Sequence, residues 1–319
     1  MTLFVARRLG AMVLTVVLAS LLVFVALQAL PGDVATQILG RDATPEAVQV
    51  LRDQLGLDQP AWRRYLEWVG GAIQGDFGTS LASGEAVGSE LALHLRNTLL
   101  IAVLAIAGGL LFSLVLGVVA GLYRDRWPDH LISGASLVGM SVPEFVVATV
   151  LVLLFSVTIP VFPAVVLDDA DATVGQLLPA IWLPALALSI ALAAYVVRMM
   201  RASVIDVMAS EYVQTARLRG LGTGRVVLRH ALPNAVLPTL NVIALNVAWL
   251  VGGVVVVETV FNYPGIGTLM IDAVYDRDLP VLQAIAVLSA VVYALCNLAA
   301  DVAAMGLNPR LRAGGRSTA

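Results

Sequence analysis

The stretch TLLIAVLAIAGGLLFSLVLGVVAGL, residues 98–122, decides the fold class of this chain. It contains no charged side chain. An α-helix needs about 20 consecutive apolar residues to cross the hydrocarbon core of a bilayer. The stretch meets that length and is therefore predicted to be a transmembrane helix.

The rest of the chain repeats this pattern. Of its 319 residues, 59% are hydrophobic and only 13% are charged, whereas soluble domains carry about 25% charged residues. Further apolar stretches of near-spanning length are residues 9–30, 145–162, 177–197, 235–257 and 281–300. A bilayer core admits only helices and closed barrels. The sequence thus predicts an all-α, polytopic transmembrane helical bundle of six spans.

Arginine placement predicts the orientation of these spans. The chain has no lysine, and thirteen of its 19 arginines fall on the side that carries both termini and the loop 199–234. Basic residues favour the cytoplasmic side of a membrane. We therefore expect both termini to be cytoplasmic, in the inner membrane of a bacterial cell.

Three sections follow from this topology. Residues 1–31 are the N-terminus and an uncleaved first transmembrane helix, because the apolar run is long for an export signal. Residues 32–96 are an external element, with a predicted helix start at Thr44 and a break at residues 75–78. Residues 97–319 are a five-helix core that includes the cytoplasmic loop 199–234.

The cytoplasmic loop 199–234 has the pattern of a docking element. Apolar residues recur at helical intervals between Ser203 and Arg219, and Gly220 then permits a turn. A second helical stretch, 226–232, is expected to end before Pro233 and Pro238. The loop has no nucleotide-binding glycine motif. It is suited either to a cleft in another protein or to an anionic lipid surface.

The sequence argues against most other chemistries. The sole cysteine, Cys296, excludes an intrachain disulfide and a cysteine-rich metal site. A secondary transporter would show internal repeats, which the two halves lack. A membrane-embedded hydrolase would need paired catalytic groups inside the spans. A scaffold subunit is left open by the spans alone.

Residues 211–238, EYVQTARLRGLGTGRVVLRHALPNAVLP, resemble the cytoplasmic loop of binding-protein-dependent ABC importer permeases. Gly220 and the pair Leu232-Pro233 fall at the family's spacing, while Gln214, Thr215 and His230 depart from its general pattern. The stretches VETVFNYPGIG, residues 257–267, and DVAAMGLNPRLR, residues 301–312, are similar to the dipeptide, oligopeptide and nickel branch. The N-terminal motifs resemble the first permease of such pairs.

The resemblance implies a type I ABC importer permease fold and a transport subunit without enzymatic activity. It implies a second homologous permease as heterodimer partner, two ABC ATPase subunits or domains, an external solute-binding protein and membrane lipid, with no nucleic acid. This chain would bind no cofactor, and ATP and Mg²⁺ would be held by the ATPase partners. The cargo would be di- or oligopeptides, with nickel or another small solute as the alternative.

Two sets of site residues follow. The resemblance assigns contact with the ATPase to Glu211, Tyr212, Gln214, Thr215, Ala216, Arg217, Gly220, Leu221, Gly222, Leu232 and Pro233. A second, smaller contact is expected at residues 124–126. Ionisable and amide groups in or beside spans are functional candidates because they are costly in lipid. These possible pore-lining residues are Glu144, Asn241, Asn246 and Glu258; no metal site is predicted.

Overall fold

The structure is a computed structural model that describes residues 2–29, 36, 44–54 and 58–307. Within these ranges, side chains are described except at 2–6, 51, 54, 241, 244, 248–253 and 300–307. The described residues contain no β-strand, and one isolated antiparallel bridge joins Thr79 to Ala86. The described chain is therefore all-α.

Among the described residues, four helices precede or enter the predicted core. They are α1 (Thr2–Gln28), α2 (Pro45–Gln54), α3 (Ala61–Ile73) and α4 (Val87–Leu122). Helix α2 begins at the predicted point, where the Ala47 amide donates to the Thr44 hydroxyl at 3.3 Å. Helix α3 ends before the predicted break, in which Gly75 and Gly78 have positive φ angles.

The remaining helices form the rest of the bundle. They are α5 (Trp127–Ser141), α6 (Glu144–Val152), α7 (Val174–Leu177), α8 (Trp182–Met208), α9 (Glu211–Leu218), α10 (Thr223–Val226), α11 (Leu232–Phe261), α12 (Ile266–Tyr275) and α13 (Leu279–Leu307). Two π-helical segments, Leu153–Thr158 and Val227–Ala231, continue α6 and α10.

Helix length and composition give four to six membrane spans among the described residues. Four helical stretches are long and apolar enough to cross a bilayer, and two bent helix pairs raise the number to six if each is one span. One of these pairs is α5 with α6, which bends by 108° at Val142 and Pro143. The predicted third span, 145–162, is thus only the second limb of a broken helix.

The chain divides into two compact units. The first consists of Met1–Asn97, Asp169–Asp171 and Pro264–Ala294, and the second of Thr98–Asp168, Ala172–Tyr263 and Leu295–Ala319. The unit boundary at Asn97 falls beside the sequence-based boundary at residue 96. The first unit also takes in Pro264–Ala294, which sequence reasoning placed with the core.

In the first unit, a buried carboxylate holds the segment before α4 against the segment before α13. The Ser80 hydroxyl donates to Asp278 at 2.5 Å, and the Ala82 amide donates to the same carboxylate at 3.1 Å. Asp278 is only 2% exposed. On α3, the Tyr65 hydroxyl is hydrogen bonded to the Ser20 hydroxyl of α1 at 2.7 Å.

In the second unit, glycines bring α4 close to α8. A Cβ atom on Gly109 would lie 2.9 Å from Leu192, and one on Gly117 would lie 2.6 Å from the Cβ of Met200. Real Cβ atoms do not approach so closely, so only glycine permits this contact. Small residues at helix interfaces allow such approach in membranes.

The structure corrects two predicted boundaries around the loop 199–234. The fourth span was expected to end at residue 197, but α8 continues to Met208. A helix break was expected at Pro233 and Pro238, but α11 begins at Leu232 and contains Pro238. Pro233 lies in the first turn of α11, directly after a π-helical segment, where i→i+5 bonding changes which amides are needed.

Candidate coupling site

Helix α9 follows α8 after a link of two residues, Ala209 and Ser210. The Ser210 hydroxyl donates to the Val207 carbonyl at 2.5 Å, and the Gln214 side-chain amide donates to the Ala209 carbonyl at 3.0 Å. These two bonds engage carbonyls in the last turn of α8; the Val207 carbonyl also accepts the backbone amide of Ser210 at 3.1 Å. The short link and its bonds fix the direction in which α9 leaves α8.

Gly220 ends α9 with a left-handed residue, at φ +79°. The Gly220 amide donates to the Arg217 carbonyl at 2.9 Å, and the Leu221 amide donates to the Ala216 carbonyl at 3.3 Å. This pair of bonds is a Schellman motif, which requires a positive φ angle at its turn residue. The predicted glycine turn is therefore present, and its physical reason is the αL conformation.

Helix α9 buries one face and exposes the other. Val213 and Ala216 are buried, and they pack with Val207, Met208 and Val226. The predicted contact residues Glu211, Tyr212, Gln214, Thr215, Arg217, Gly220, Gly222 and Pro233 are exposed, whereas Leu221 and Leu232 are half-buried. The structure thus brings the polar members of the predicted set onto an open surface, held from behind by an apolar cluster.

Sequence periodicity missed two apolar side chains on this loop. Leu218 is one of the apolar residues that recur at helical intervals between Ser203 and Arg219, but it is 89% exposed, and Leu228 is 69% exposed. Helix α9 has only two turns and ends at Leu218, so residues at its end leave the α8 surface. Together with Tyr212 they give the loop an exposed apolar component among its arginines.

Glu144 lies at the break between α5 and α6. It is the first residue of α6, and it lines a cleft of about 350 Å³ with Ser141, Pro143, Tyr195 and Val256 among the other lining residues. Its Oε1 atom is buried and has no hydrogen-bond partner in the described part of the chain. Irregular backbone at membrane depth is tolerated where it is buried in protein or lines a cavity.

The other three pore candidates have different surroundings. Glu258 is fully buried and accepts a hydrogen bond from the Thr98 hydroxyl at 2.6 Å. The Asn246 amide donates to the Val242 carbonyl of its own helix at 2.8 Å. The side chain of Asn241 lies outside the described residues. Glu258 therefore has a packing role within the second unit, and Glu144 is the candidate that faces a cleft.

Sequence reasoning did not find the ion pair between Asp129 of α5 and Arg201 of α8. The Arg201 Nη2 atom lies 2.6 Å from one Asp129 oxygen, and Nε bonds the other. The Asp125 amide and the Ser133 hydroxyl also donate to this carboxylate, at 2.9 and 3.0 Å. The partners are 72 residues apart in sequence, so no local pattern reveals them; their only signal is ionisable residues bordering apolar helices.

Comparison with known proteins identifies the family. The family model named binding-protein-dependent transport system inner membrane component matches residues 113–313. A second family model, for the N-terminal membrane component of the same transport systems, matches residues 1–94. The chain belongs to this family. It is the permease subunit of an ABC importer, a transport component of the inner membrane and not an enzyme.

Two comparisons bear on the branch and the fold. The chain is 37% identical to the glutathione transport system permease protein GsiC of Escherichia coli strain K12, over 97% of this chain and 98% of that protein. The protein of that name from Shigella flexneri serotype 5b gives the same values. A solved structure of the MetNI methionine ABC transporter, in inward-facing conformations, covers 69% of this chain and 96% of its own, with a TM-score of 0.57 and 16% identity. The fold is that of a type I ABC importer permease.

Proposed function

We propose that residues 211–233 dock on a cytoplasmic ATPase subunit and convert its movement into a change in the membrane helices. The observation that carries this proposal is the two-faced helix α9, with Val213 and Ala216 buried and Tyr212 and Leu218 exposed. Apolar side chains exposed among arginines are typical of a protein interface. The short link to α8 gives a direct route for displacement.

The proposed assembly has four kinds of component. This chain pairs with a second homologous permease, and two ABC ATPase subunits or domains bind the cytoplasmic loops. An external solute-binding protein delivers cargo. ATP and Mg²⁺ are bound by the ATPase partners, and this chain binds no cofactor. The excess of arginines on the loop side supports an orientation with both termini in the cytoplasm.

The proposed cargo is a peptide-like solute. The similarity to GsiC, which is named for glutathione transport, supports a small peptide with free amino and carboxyl groups. Within the membrane, we propose that Glu144 lines the path, because its cleft lies at a break in a helix pair of spanning composition. Its carboxylate would suit the ammonium group of a peptide.

The test is reconstitution. The chain is expressed with its genomic neighbours, purified in detergent through a tag on this chain, and placed in liposomes with ATP inside. Co-purification of a second permease and of ATPase chains is expected, followed by uptake of radiolabelled glutathione or a labelled dipeptide. A single chain that is stable and transports alone would contradict the proposal. Uptake of nickel ions but not of peptides would overturn the cargo.

A Glu144→Gln variant tests the path separately. It keeps the size of the side chain and removes the charge, so uptake of a peptide with a free amino group should fall at least about tenfold, as expected for the loss of one charge-assisted contact. Tyr195→Phe, on the same cleft, is the milder comparison. Unchanged uptake in Glu144→Gln complexes would remove Glu144 from the proposed path.

A further inference from the structure

Helices α4, α5 and α8 converge where the proposed ATPase contacts begin. Near this point, α4 and α8 are in contact through small and apolar groups, and Gly121 of α4 faces Val204 of α8. Helix α4 then ends at Leu122, and the turn 123–126 leads into α5. Residues 124–126 of this turn are the expected second contact with the ATPase, so both proposed contact segments directly follow helices of the second unit.

The carboxylate of Asp129 joins α5, α8 and the turn 123–126. Asp129 is 1% exposed, and it binds Arg201 of α8 through both carboxylate oxygens. It also accepts the backbone amide of Asp125, a non-glycine residue held at φ +59°. The geometry of the turn 123–126 and its distance from α8 therefore depend on the same side chain.

The chemistry of this contact indicates that it fixes the relative position of the helices and adds little to the stability of the fold. A buried ion pair adds little net stability compared with apolar packing, because desolvation offsets the attraction. A bidentate arginine–carboxylate pair is, however, strongly directional. The glycine contacts bring α4 to α8 without a directional bond of their own. The ion pair fixes α5 against α8 in direction as well as in distance, since Nε and Nη2 of Arg201 face different oxygens of Asp129.

We infer that Asp129 and Arg201 are positioning residues that make the turn 123–126 and helix α9 move as one body during the transport cycle. Arg201 lies on α8, which carries α9 through the bonded link at Ala209 and Ser210. Asp129 carries the turn. The inference rests on the proposed function, because it assumes that both segments contact the ATPase, but it makes a claim that docking alone does not.

The experiment measures one distance in two nucleotide states. Cys296 is the only native cysteine, so Cys296→Ser gives a background for spin labels at Arg126→Cys and Arg219→Cys, both exposed positions. The labelled chain is studied in the complete complex with its partners. The interspin distance is measured by electron paramagnetic resonance without nucleotide and after trapping with ATP and vanadate.

In the chain with Asp129 intact, the distance should be the same in both states. In Asp129→Asn, which removes the charge and one of the two acceptor oxygens, the distance should broaden and shift between the states. Arg201→Lys, which keeps the charge without the two-pronged guanidinium geometry, should give an intermediate result. Asp206→Asn neutralises an exposed carboxylate on α8, the helix that carries Arg201, and should behave like the parent chain. If Asp129→Asn complexes do not assemble, Arg201→Lys serves in their place.

Two results would overturn the inference. One is a distance that changes between nucleotide states with Asp129 intact. The other is a distance that stays fixed in Asp129→Asn, or in Arg201→Lys where Asp129→Asn complexes do not assemble. Failure of the proposed function looks different, because ATPase chains would then be absent from the purified complex before any distance is measured.

Discussion

Helices α1 and α8 are both apolar enough to cross a membrane, yet they differ in how this chain covers them. In the most apolar part of α1, the mean hydropathy is 2.7 and 11% of the residues are buried. In α8 the corresponding values are 1.8 and 67%. The less hydrophobic helix is therefore the buried one.

The difference follows from the solvent. A helix that faces lipid must be apolar all round, whereas a helix packed among others needs small residues and bonded polar groups. Helix α8 accordingly carries Ser189, which donates to the Ala105 carbonyl of α4 at 3.1 Å, and Arg201. In this chain, high hydropathy marks the surface left for lipid or a partner permease, and moderate hydropathy marks the core.

Truncation of one leucine on each helix tests whether the difference in burial affects stability. Leu188 of α8 is 2% exposed, and Leu18 of α1 is 56% exposed. Leu188→Ala should lower the unfolding free energy by about 2–5 kcal/mol, because it opens a cavity. Leu18→Ala should change it by less than about 0.5 kcal/mol. Denaturation in detergent micelles measures both, and equal losses would mean that the burial contrast has no energetic meaning.

The buried hydrogen bond between α4 and α11 should have the next largest effect. Thr98→Val leaves an oxygen of the buried Glu258 carboxyl without the hydroxyl that lies 2.6 Å away. The unfolding free energy should fall by about 1–3 kcal/mol, because a hydrogen bond to a buried carboxyl group is lost. Thr98→Ser, which keeps the hydroxyl, is the matched control. If both variants lose the same stability, the methyl group and not the hydrogen bond is responsible.

Glycine packing should give an effect of similar or smaller size. Gly117→Ala places a Cβ atom 2.6 Å from Met200, whereas a Cβ atom on Gly134 meets nothing within 4 Å. Overpacking should cost Gly117→Ala about 1–3 kcal/mol, and Gly134→Ala should be neutral. Thermal unfolding of the purified variants tests the pair. A neutral Gly117→Ala would show that α4 and α8 separate without cost.

The smallest effect on stability is expected on the exposed face of α9. Leu218 is 89% exposed, so Leu218→Ala should alter the unfolding free energy by less than about 0.5 kcal/mol. It should nevertheless reduce the amount of ATPase that co-purifies with the chain, because an apolar side chain of the proposed interface is lost. Retained ATPase would place Leu218 outside the interface, and Val213→Ala, which is buried, should instead lower stability.

Local patterns predicted much of this structure. Residues 98–122 are helical as expected. Gly220 ends α9 as predicted, because a left-handed conformation there lets the amides of Gly220 and Leu221 donate to the carbonyls of Arg217 and Ala216. Proline rules misplaced the end of the loop at Pro233, since they take no account of the π-helical segment before it. The Asp129–Arg201 pair joins residues far apart in sequence, and only the packing of α5 on α8 reveals it.

Our proposal that the loop from α9 to α11 couples ATP hydrolysis to transport is tested most sharply by a substitution at Gly220. Cβ atoms on Gly220 and Gly224 would both enter open space, but only Gly220 has a positive φ angle, at +79°. Valine is strained there by about 1–3 kcal/mol and is not strained in this way at Gly224.

The measurement is the amount of labelled peptide taken up per ATP hydrolysed by reconstituted complexes. We predict that Gly220→Val inserts and assembles but has a ratio at least several-fold lower than that of Gly224→Val, which adds the same side chain to the proposed docking segment without a positive φ angle. A parental ratio in assembled Gly220→Val complexes would contradict this prediction.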